Sequence, residues 1–421
     1  MQNIKAAGLV TEYNPFHNGH LYHLQKSLKI TNADIAIAVM SGNFVQRGIP
    51  AITDKYKRCR AAVDSGVNLV VELPLFYAVS SAEIFAAGAV ATLNALNASF
   101  ISFGCENADI QMLKKIAITL VNEPDEYKKH LKKALTCGDS FPTARAKALS
   151  EFFKSDDISR LISSPNNILA IEYIKEIIKS ESAVTPVALT RKISGYHDIE
   201  IHENIASASA IRKILHDSGI HKNNDSRCKN IKELQNVMPE AMYNILASES
   251  QNNALIYADD FSSMLNYKIS NIFYIAKYNK NACIETLCAY HDINKDLACR
   301  IYSSFTGCDS FNGFIEKIKT RGFTYSRLSR CLMHIILDIK KENISQYKSL
   351  PYIRILGFDK KGREYLSQIK KTCPVPIITK AADYKNLLTD EIHAASLYNQ
   401  IVYTKSGIIN KDEFRQPLYI K

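Results

Sequence analysis

The sequence predicts an α/β protein built on a doubly wound, parallel, five-stranded sheet, with a helical insertion and a mainly α-helical C-terminal region. Short apolar runs alternate with segments of helical periodicity through the first half, which is typical of a parallel sheet with helices on both faces. The fifth run comes long after the fourth, so several helices fit between them. The predicted strands are Ile4–Val10, Asp34–Met40, Asn68–Glu72, Phe100–Gly104 and Val184–Thr190.

Helical patterns separate these strands and dominate the second half. The pattern predicts helices over Gly19–Ile30, Thr53–Ser65 and Ser80–Asn97, and a helical insertion over about 107–180. Polar residues around 218–230 indicate a boundary between a first domain, 1–220, and a second domain, 221–421. The second domain reads as mainly α-helical and basic, with a mixed segment at Tyr352–Phe358 and a late strand at Pro374–Thr379.

Composition excludes several classes of protein. The 421 residues are 46% hydrophobic and 23% charged, as in an ordinary globular protein. No apolar run is long enough to span a bilayer and the N-terminus leads into a strand, so we expect a cytoplasmic protein without a membrane partner. Ten cysteines include no Cys-x-x-Cys pair, and we expect no bound metal. The net charge of +11 favours a polyanionic partner.

The first candidate site lies in the stretch Gly8–His23, where the first strand gives way to a helix. His17 and His20 fall at this junction, where open parallel sheets bind ligands and free backbone N–H groups favour anions. Gly19 lets the backbone approach a ligand, and imidazoles that donate to phosphates stabilise the charge on departing pyrophosphate. His-x-Gly-His in this position favours a triphosphate site over two histidines that only cap a helix.

Polar residues also follow the second and fourth strands. Asn43, Gln46 and Arg47 would bind a small carboxylate or a phosphate, unless they form an ordinary polar connector. Gly104 ends the fourth strand, where the missing side chain would let a purine or ribose lie against the backbone.

Three further segments extend this edge of the sheet. Asn166 and its neighbour Asn167 lie at the start of a predicted helix. If one of them caps the helix, the other can contact adenine or ribose. Arg191 follows the fifth strand, near the mouth of the site unless it belongs to a solvated turn. The run from Ser207 to Arg212 opens another helix and would hold β- and γ-phosphates. The alternative is a plain N-cap followed by a surface arginine.

The segment from Glu316 to Lys371 is the most basic part of the chain, with fourteen Lys and Arg against five Asp and Glu. Aromatic residues are interleaved with these charges, as in surfaces that bind RNA phosphates and stack on bases. A merely solvated face is the alternative. The candidate RNA-binding residues are Arg321, Arg327, Arg330, Arg354, Lys360, Lys361 and Arg363.

Long motifs make a family resemblance specific. They are Val10–His20, Ser41–Gly48, Val71–Pro74, Ser81–Gly88, Pro165–Ala170 and Tyr352–Gly362. Together these motifs resemble the bacterial tRNA(Met) cytidine acetate ligase family of the HxGH nucleotidyltransferase superfamily, over nearly the whole chain. The order of His-x-Gly-His and the later Ser-x-Ser-x-Ile-Arg run agrees with that superfamily.

The resemblance implies that ATP, accompanied by Mg²⁺, activates acetate as acetyl-adenylate, and that the acetyl group passes to N4 of the wobble cytidine of elongator tRNA(Met). Aligning the attack and stabilising the departing pyrophosphate is work that suits His17, His20, Ser207 and Arg212. We expect the second domain to bind RNA, with no DNA partner. The implied ATP-binding residues are Val10, Thr11, Glu12, Tyr13, Asn14, Pro15, Phe16, His17, Asn18, Gly19, His20, Leu21, Tyr22 and His23, with Gly104, Asn166 and Arg191.

Two other functions remain open at the level of sequence. One is a nucleotidyltransferase that adenylates a small phosphorylated metabolite, against which the long basic second half argues. The other is a non-catalytic RNA-binding factor with a nucleotide-binding fold, against which the intact His17, His20 and Arg212 argue. No residue in the sequence identifies itself as a general base for acyl transfer.

Overall fold

The computed structural model describes residues 4–191, 206–220, 231–342, 347 and 349–421. One mainly parallel sheet organises them, in the order β10-β8-β5-β2-β1-β6-β7 with β9 beside β8. A small separate hairpin pairs β3 with β4. The strands are β1 (Ala6–Thr11), β2 (Ile35–Ser41), β3 (Phe44–Val45), β4 (Ile49–Pro50), β5 (Leu69–Leu73), β6 (Phe100–Cys105), β7 (Thr185–Thr190), β8 (Ile353–Phe358), β9 (Ile377–Ile378) and β10 (Tyr419–Ile420).

The prediction of a doubly wound parallel sheet is confirmed for the first half of the chain. Strands β5, β2, β1, β6 and β7 are parallel neighbours, and each overlaps one of the five predicted strands. From β1 the chain adds β2 and β5 on one side, and later adds β6 and β7 on the other. The order therefore reverses between β1 and β6, which is where open α/β sheets bind ligands.

The sheet is larger than predicted because the second half of the chain extends it. Strand β8 pairs antiparallel with β5, and β9 and β10 pair with the start and the end of β8. The segment was predicted only as mixed because Arg354 interrupts its apolar run, although all six residues of β8 are buried. The sheet thus crosses the predicted domain boundary, and the 221–230 segment at that boundary lies outside the described residues.

Helices cover both faces of the sheet, and five of them form the predicted insertion between β6 and β7. Those five are Ile110–Asn122, Asp125–Thr136, Phe141–Phe153, Asp157–Ser163 and Pro165–Lys179. The other helices before residue 221 are Asn18–Thr31, Lys55–Asp64, Leu75–Ala78, Ala82–Ala95 and Ala208–Ile220. Later helices are Glu240–Gln251, Ser262–Ile275, Lys280–Cys288, Lys295–Ser304, Phe311–Ile318, Tyr325–Ile336, Lys360–Ile369 and Thr389–Ser406. Within the described ranges, none of them is long and apolar enough to cross a membrane.

A buried ion-pair network joins β8 to the first half of the chain. Lys55 Nζ lies 2.7 Å from Glu72 Oε1 and 3.1 Å from Glu413 Oε2, and Arg354 Nη2 lies 2.6 Å from Glu413 Oε2. All four side chains are 5% exposed or less. Arg354 was predicted to bind RNA, but its guanidinium is committed to buried carboxylates. That prediction is wrong, because a buried cation cannot reach a phosphate backbone.

Replacing Arg354 with Met should lower the free energy of unfolding by about 3–5 kcal/mol, because it leaves the two buried carboxylates with only Lys55 to balance them. The matched control is Arg363→Met, since Arg363 is exposed on the helix Lys360–Ile369, and surface substitutions usually change stability by less than about 0.5 kcal/mol. Urea denaturation of both variants checks this. Equal stability of the two variants would mean that the network does not stabilise the joined sheet.

Candidate active site

Two histidine side chains organise the junction between β1 and the helix Asn18–Thr31. His17 is the N-cap, and its Nδ1 accepts the backbone N–H of Gly19 at 3.0 Å. The Nδ1 atom of His20 accepts the backbone N–H of His17 at 3.3 Å. The two ring centroids lie 3.8 Å apart. Both Nδ1 atoms are therefore engaged as acceptors inside a capping box, which fixes the orientation of the rings.

Burial keeps these imidazoles uncharged. It lowers the pKa of His17 to about 3, with further lowering from the charges of Arg191 and Arg212. Burial also moves the pKa of His20 well below its usual value and that of His23 to about 4. A neutral ring whose Nδ1 accepts a hydrogen bond carries its proton on Nε2. His17 and His20 thus each offer one Nε2–H donor without a positive charge of their own.

Both rings line a cavity of about 550 Å³ at the carboxyl ends of β1, β6 and β7, where the strand order reverses. This volume is within the range of small-molecule and cofactor sites. From the predicted ATP-binding stretch, the residues that line it are Val10, Thr11, Glu12, His17, Gly19, His20, Tyr22 and His23.

The remaining residues of the predicted ATP-binding stretch, 10–23, do not line the cavity. Tyr13 and Phe16 are buried in the core, with 1% and 0% of their surface exposed. Asn14 Oδ1 accepts the backbone N–H of Ile52 at 2.8 Å, and Asn18 Nδ2 donates to Asn236 O at 2.9 Å. Pro15 and Leu21 are likewise outside the set of lining residues. These side chains position the histidines rather than face the cavity.

Ser207 and Arg212 line the cavity from the start of the helix Ala208–Ile220. Ser207 Oγ accepts the backbone N–H of Ala210 at 3.1 Å, so the predicted capping role is present. Arg212 is no surface arginine, because it lines the cavity and its Nη1 donates to Asn14 O at 2.6 Å, in the loop that leads to His17. The predicted run from Ser207 to Arg212 and the predicted histidine motif therefore line the same cavity.

Gly104, Asn166 and Arg191 form another side of the cavity. A Cβ atom at Gly104 would lie 3.2 Å from Arg191 Cγ, so this position has little room for a larger residue. Arg191 Nη1 donates to Asn166 Oδ1 at 3.3 Å. Asn167 instead is buried, and its Oδ1 accepts the backbone N–H of Glu106 at 3.0 Å. Asn166 is therefore the one of the two asparagines that faces the site.

The acetate or phosphate candidates after β2 separate into two groups. Gln46 and Arg47 line the cavity, and Gln46 Nε2 donates to Ser80 O at 3.1 Å. Asn43 does not line it, because it is buried and its Oδ1 accepts the backbone N–H of Lys55 at 2.9 Å. The structure corrects the prediction for Asn43, which holds the start of the next helix.

The basic candidates of the second half also separate. Arg321, Lys360, Lys361 and Arg363 are exposed, as an RNA-binding surface requires. Arg327 is 31% exposed and its Nε lies 3.2 Å from Asp292 Oδ1. Arg330 is 8% exposed and lines the cavity, so its prediction as an RNA-surface residue is corrected as well.

Several residues that line the cavity were not predicted from the sequence. Leu189 and Thr190 could have been predicted, since they directly precede Arg191 at the end of β7. Ser326 and Arg330 come from a helix more than a hundred residues away in the chain, which no local pattern connects to this site. The lining residues outside the predicted site segments are Ile49, Ser81, Ala82, Phe85, Phe103, Pro165, Ile168, Leu169, Tyr173, Leu189, Thr190, Ala206, Ser326 and Arg330.

A family model described as HIGH Nucleotidyl Transferase matches residues 4–413 of this chain. Two relatives named tRNA(Met) cytidine acetate ligase come from Clostridium novyi (strain NT) and Thermoanaerobacter sp. (strain X514). They are 38% and 39% identical over 418 and 419 residues. Each alignment covers 98% of this chain, together with 99% and 98% of the respective relative.

Solved structures agree with the sequence comparison. The crystal structure of Thermotoga maritima TmcAL bound with alpha-thio ATP has a TM-score of 0.85 and 30% identity, and the match covers 99% of this chain and 100% of that one. The apo structure of TmcAL from the same organism has a TM-score of 0.87 at the same identity.

The neutral state of the histidines predicts an unusual titration. In the protein without nucleotide, His17 and His23 should titrate with midpoints of about 3 and 4, because burial opposes their protonation. NMR of protein labelled in its histidine rings measures this, with His17→Asn and His23→Asn assigning the signals. An unfolded histidine titrates near pH 6.5, so protonation favours the unfolded chain and stability should fall as the pH drops below that value. Midpoints near 6.5 for these rings would contradict the buried, neutral geometry.

Proposed function

Because this chain belongs to the tRNA(Met) cytidine acetate ligases and to the HIGH nucleotidyl transferases that match residues 4–413, we propose that it acetylates the wobble cytidine of elongator tRNA(Met) at N4, using ATP and acetate. The observation that carries the proposal is the cavity at the reversal of strand order, where His17, His20, Ser207 and Arg212 meet. A protein of the same fold, 30% identical over 99% of this chain, binds an ATP analogue.

The first step would be attack of an acetate oxygen on the α-phosphorus of ATP. The new oxygen–phosphorus bond forms as the bond to the bridging oxygen breaks, and pyrophosphate leaves with that electron pair. Acetate is already ionised at neutral pH, so no general base is needed. The protein has to align the reactants and stabilise the growing charge on the leaving group.

The described residues suit that task. The Nε2–H donors of His17 and His20 and the hydroxyl and helix start at Ser207 would contact the phosphates, with the guanidinium of Arg212 balancing their charge. Gly104, Asn166 and Arg191 would hold the nucleoside, since they line the side of the cavity at the ends of β6 and β7. Neutral donors are well placed here, because they stabilise negative charge without a counter-charge that must itself be buried.

Mg²⁺ is expected to enter with the nucleotide. Among the described lining residues Glu12 offers the one carboxylate, and Gln46 N donates to its Oε1 at 3.0 Å. Mg²⁺ usually binds through one or two carboxylates together with substrate phosphates, so Glu12 fits as the residue that would hold it. The ion would supply charge neutralisation on the phosphates.

In the second step the cytidine N4 amine would attack the acetyl carbonyl, and AMP would leave with the electron pair of the anhydride bond. The amine loses a proton in this step, and we assign no residue as its acceptor. The wobble base lies in a single-stranded loop and can therefore unstack and enter a cavity. A tRNA substrate also implies a cytoplasmic location.

The RNA surface proposed for the second half comprises the exposed Arg321, Lys360, Lys361 and Arg363, with Arg327. Arg327 lies three residues from Arg330 on the helix Tyr325–Ile336, and Arg330 lines the cavity, so Arg327 is the member of this set that the chain links to the reaction site. Neither adenylation of a small metabolite nor a purely RNA-binding role would explain relatives named as acetate ligases over 98% of this chain.

Replacing His20 with Ala should abolish the acetate-dependent conversion of ATP to AMP and leave tRNA binding within about twofold, because the ring contacts phosphates rather than RNA in this proposal. Radiolabelled acetate with ATP, with and without tRNA, measures both steps. The control is His130→Ala, since His130 pairs with Glu151 in the helical insertion. Wild-type protein that transfers no label to tRNA would refute the proposed function, and equal loss of tRNA binding in His20→Ala would refute the division of roles.

Charge removal on the proposed RNA surface should weaken tRNA binding and flatten its salt dependence. In Arg321→Ala and in Lys360→Ala with Lys361→Ala, the slope of log affinity against log salt should fall by about 0.7–0.9 for each phosphate that the variant no longer neutralises. Lys132→Ala with Lys133→Ala is the control, because these lysines are exposed on the insertion helix Asp125–Thr136. Filter-binding titrations at several salt concentrations measure these slopes. Slopes identical to that of the wild-type protein would show that the substituted residues do not contact tRNA.

A further inference from the structure

The second half of the chain contributes a guanidinium to the cavity. Arg330 lies on the helix Tyr325–Ile336, and Ser326 lines the same cavity one turn earlier. Only 10% of the Arg330 side chain is exposed. An arginine buried to this degree normally has a full set of partners.

The partners of Arg330 leave positive charge uncompensated. Its Nη2 lies 3.3 Å from Asp292 Oδ2, but the other oxygen of Asp292 lies 3.2 Å from Arg327 Nε. One carboxylate therefore serves two guanidinium groups. The Nε atom of Arg330 is buried and has no hydrogen-bond partner in the part of the chain that the structure describes. A cation in this state is suited to bind a small anion.

The wall that carries Arg330 is built from three segments. Ser329 Oγ donates to Gly48 O at 3.0 Å, which joins the helix to the hairpin of β3 and β4. His334 Nε2 lies 2.8 Å from Val79 O, which joins the helix to the residues before the helix Ala82–Ala95. Gln46 Nε2 donates to Ser80 O at 3.1 Å, which joins the hairpin to the residues before the helix Ala82–Ala95. Ile49 of the hairpin, together with Ala82 and Phe85 of the helix Ala82–Ala95, also lines the cavity.

We propose that this wall is the acetate subsite and that Arg330 binds the acetate carboxylate. Acetate needs one cationic contact for its carboxylate and a small apolar surface for its methyl group, and Arg330 with Ile49, Ala82 and Phe85 supplies both. The inference rests on the proposed function and identifies a residue for its second small substrate. The histidine side of the cavity is already assigned to the triphosphate.

Arg330 would also make the chemical step possible. The carboxylate must approach an α-phosphate that carries negative charge of its own, and a guanidinium beside the carboxylate offsets this repulsion. One carboxylate oxygen bonds to the α-phosphorus while the second remains beside Arg330. No proton is transferred, and pyrophosphate leaves with the electron pair of the broken bond.

The test is acetate-dependent pyrophosphate release without tRNA, for Arg330→Gln and Arg330→Lys. Arg330→Gln should raise the KM for acetate roughly tenfold to hundredfold, the effect of losing a hydrogen bond to a charged group, with the KM for ATP within about twofold of wild type. The KM for acetate of Arg330→Lys should lie between those of wild type and Arg330→Gln, because lysine keeps the positive charge but lacks the paired N–H donors of the guanidinium. Arg415→Gln is the control, since Arg415 is 82% exposed and pairs only with Asp412 among the described acidic residues.

A second measurement separates binding from folding. Asp292 keeps Arg327 as a partner when Arg330 is replaced, so the variants should fold. Methylguanidinium added to Arg330→Ala should lower the KM for acetate towards the wild-type value, whereas a fault in folding would not respond. An equal rise in the KM for ATP would assign Arg330 to the triphosphate and overturn the proposal. An unchanged KM for acetate with weaker tRNA binding would overturn it in favour of an RNA contact. Wild-type protein without acetate-dependent turnover would instead refute the proposed function.

Discussion

The site depends on two imidazoles that are held neutral at the start of a helix. His17 and His20 use Nδ1 to satisfy backbone N–H groups of the first turn, which leaves Nε2–H as the donor of each ring. Burial together with nearby arginines disfavours their protonated forms. The same contacts that start the helix therefore fix the proton positions that a phosphate ligand would meet. Helix capping and ligand binding, which the sequence presents as alternatives, are therefore compatible, because the capping contacts use Nδ1 and leave Nε2 of each ring as a donor.

The joined sheet explains how the second half of the chain reaches that site. Strand β8 lies against β5 and is secured by the buried charges of Lys55, Glu72, Arg354 and Glu413. The helix Tyr325–Ile336 then packs against the hairpin that follows β2 and brings Arg330 to the cavity. The two halves thus share both a sheet and a cavity wall. This arrangement suits the proposed reaction, in which an activated acyl group would meet a base presented by tRNA.

Local patterns were sufficient for the first half of the fold and for the two motifs that meet at the cavity. Strands β1, β2, β5, β6 and β7 are short apolar runs bounded by polar turns. The motif at His17 follows β1 after a short loop, and the motif at Arg212 comes after β7 with a longer segment between them. Strand β8 was not recognised because Arg354 lies within it, and its charge is compensated by residues distant in the chain. Asn43 and Arg330 were placed wrongly for the same reason: their surroundings are set by Lys55 and Asp292, contacts that no local pattern encodes.

In the proposed reaction the neutral pair His17 and His20 binds the phosphates of ATP. A crystal structure of the protein with a non-hydrolysable ATP analogue would test this contact. Phosphate oxygens should lie within hydrogen-bond distance of Nε2 of both rings, with the adenosine beside Gly104 and Asn166. Nucleotide bound elsewhere, or phosphates out of reach of both rings, would contradict it.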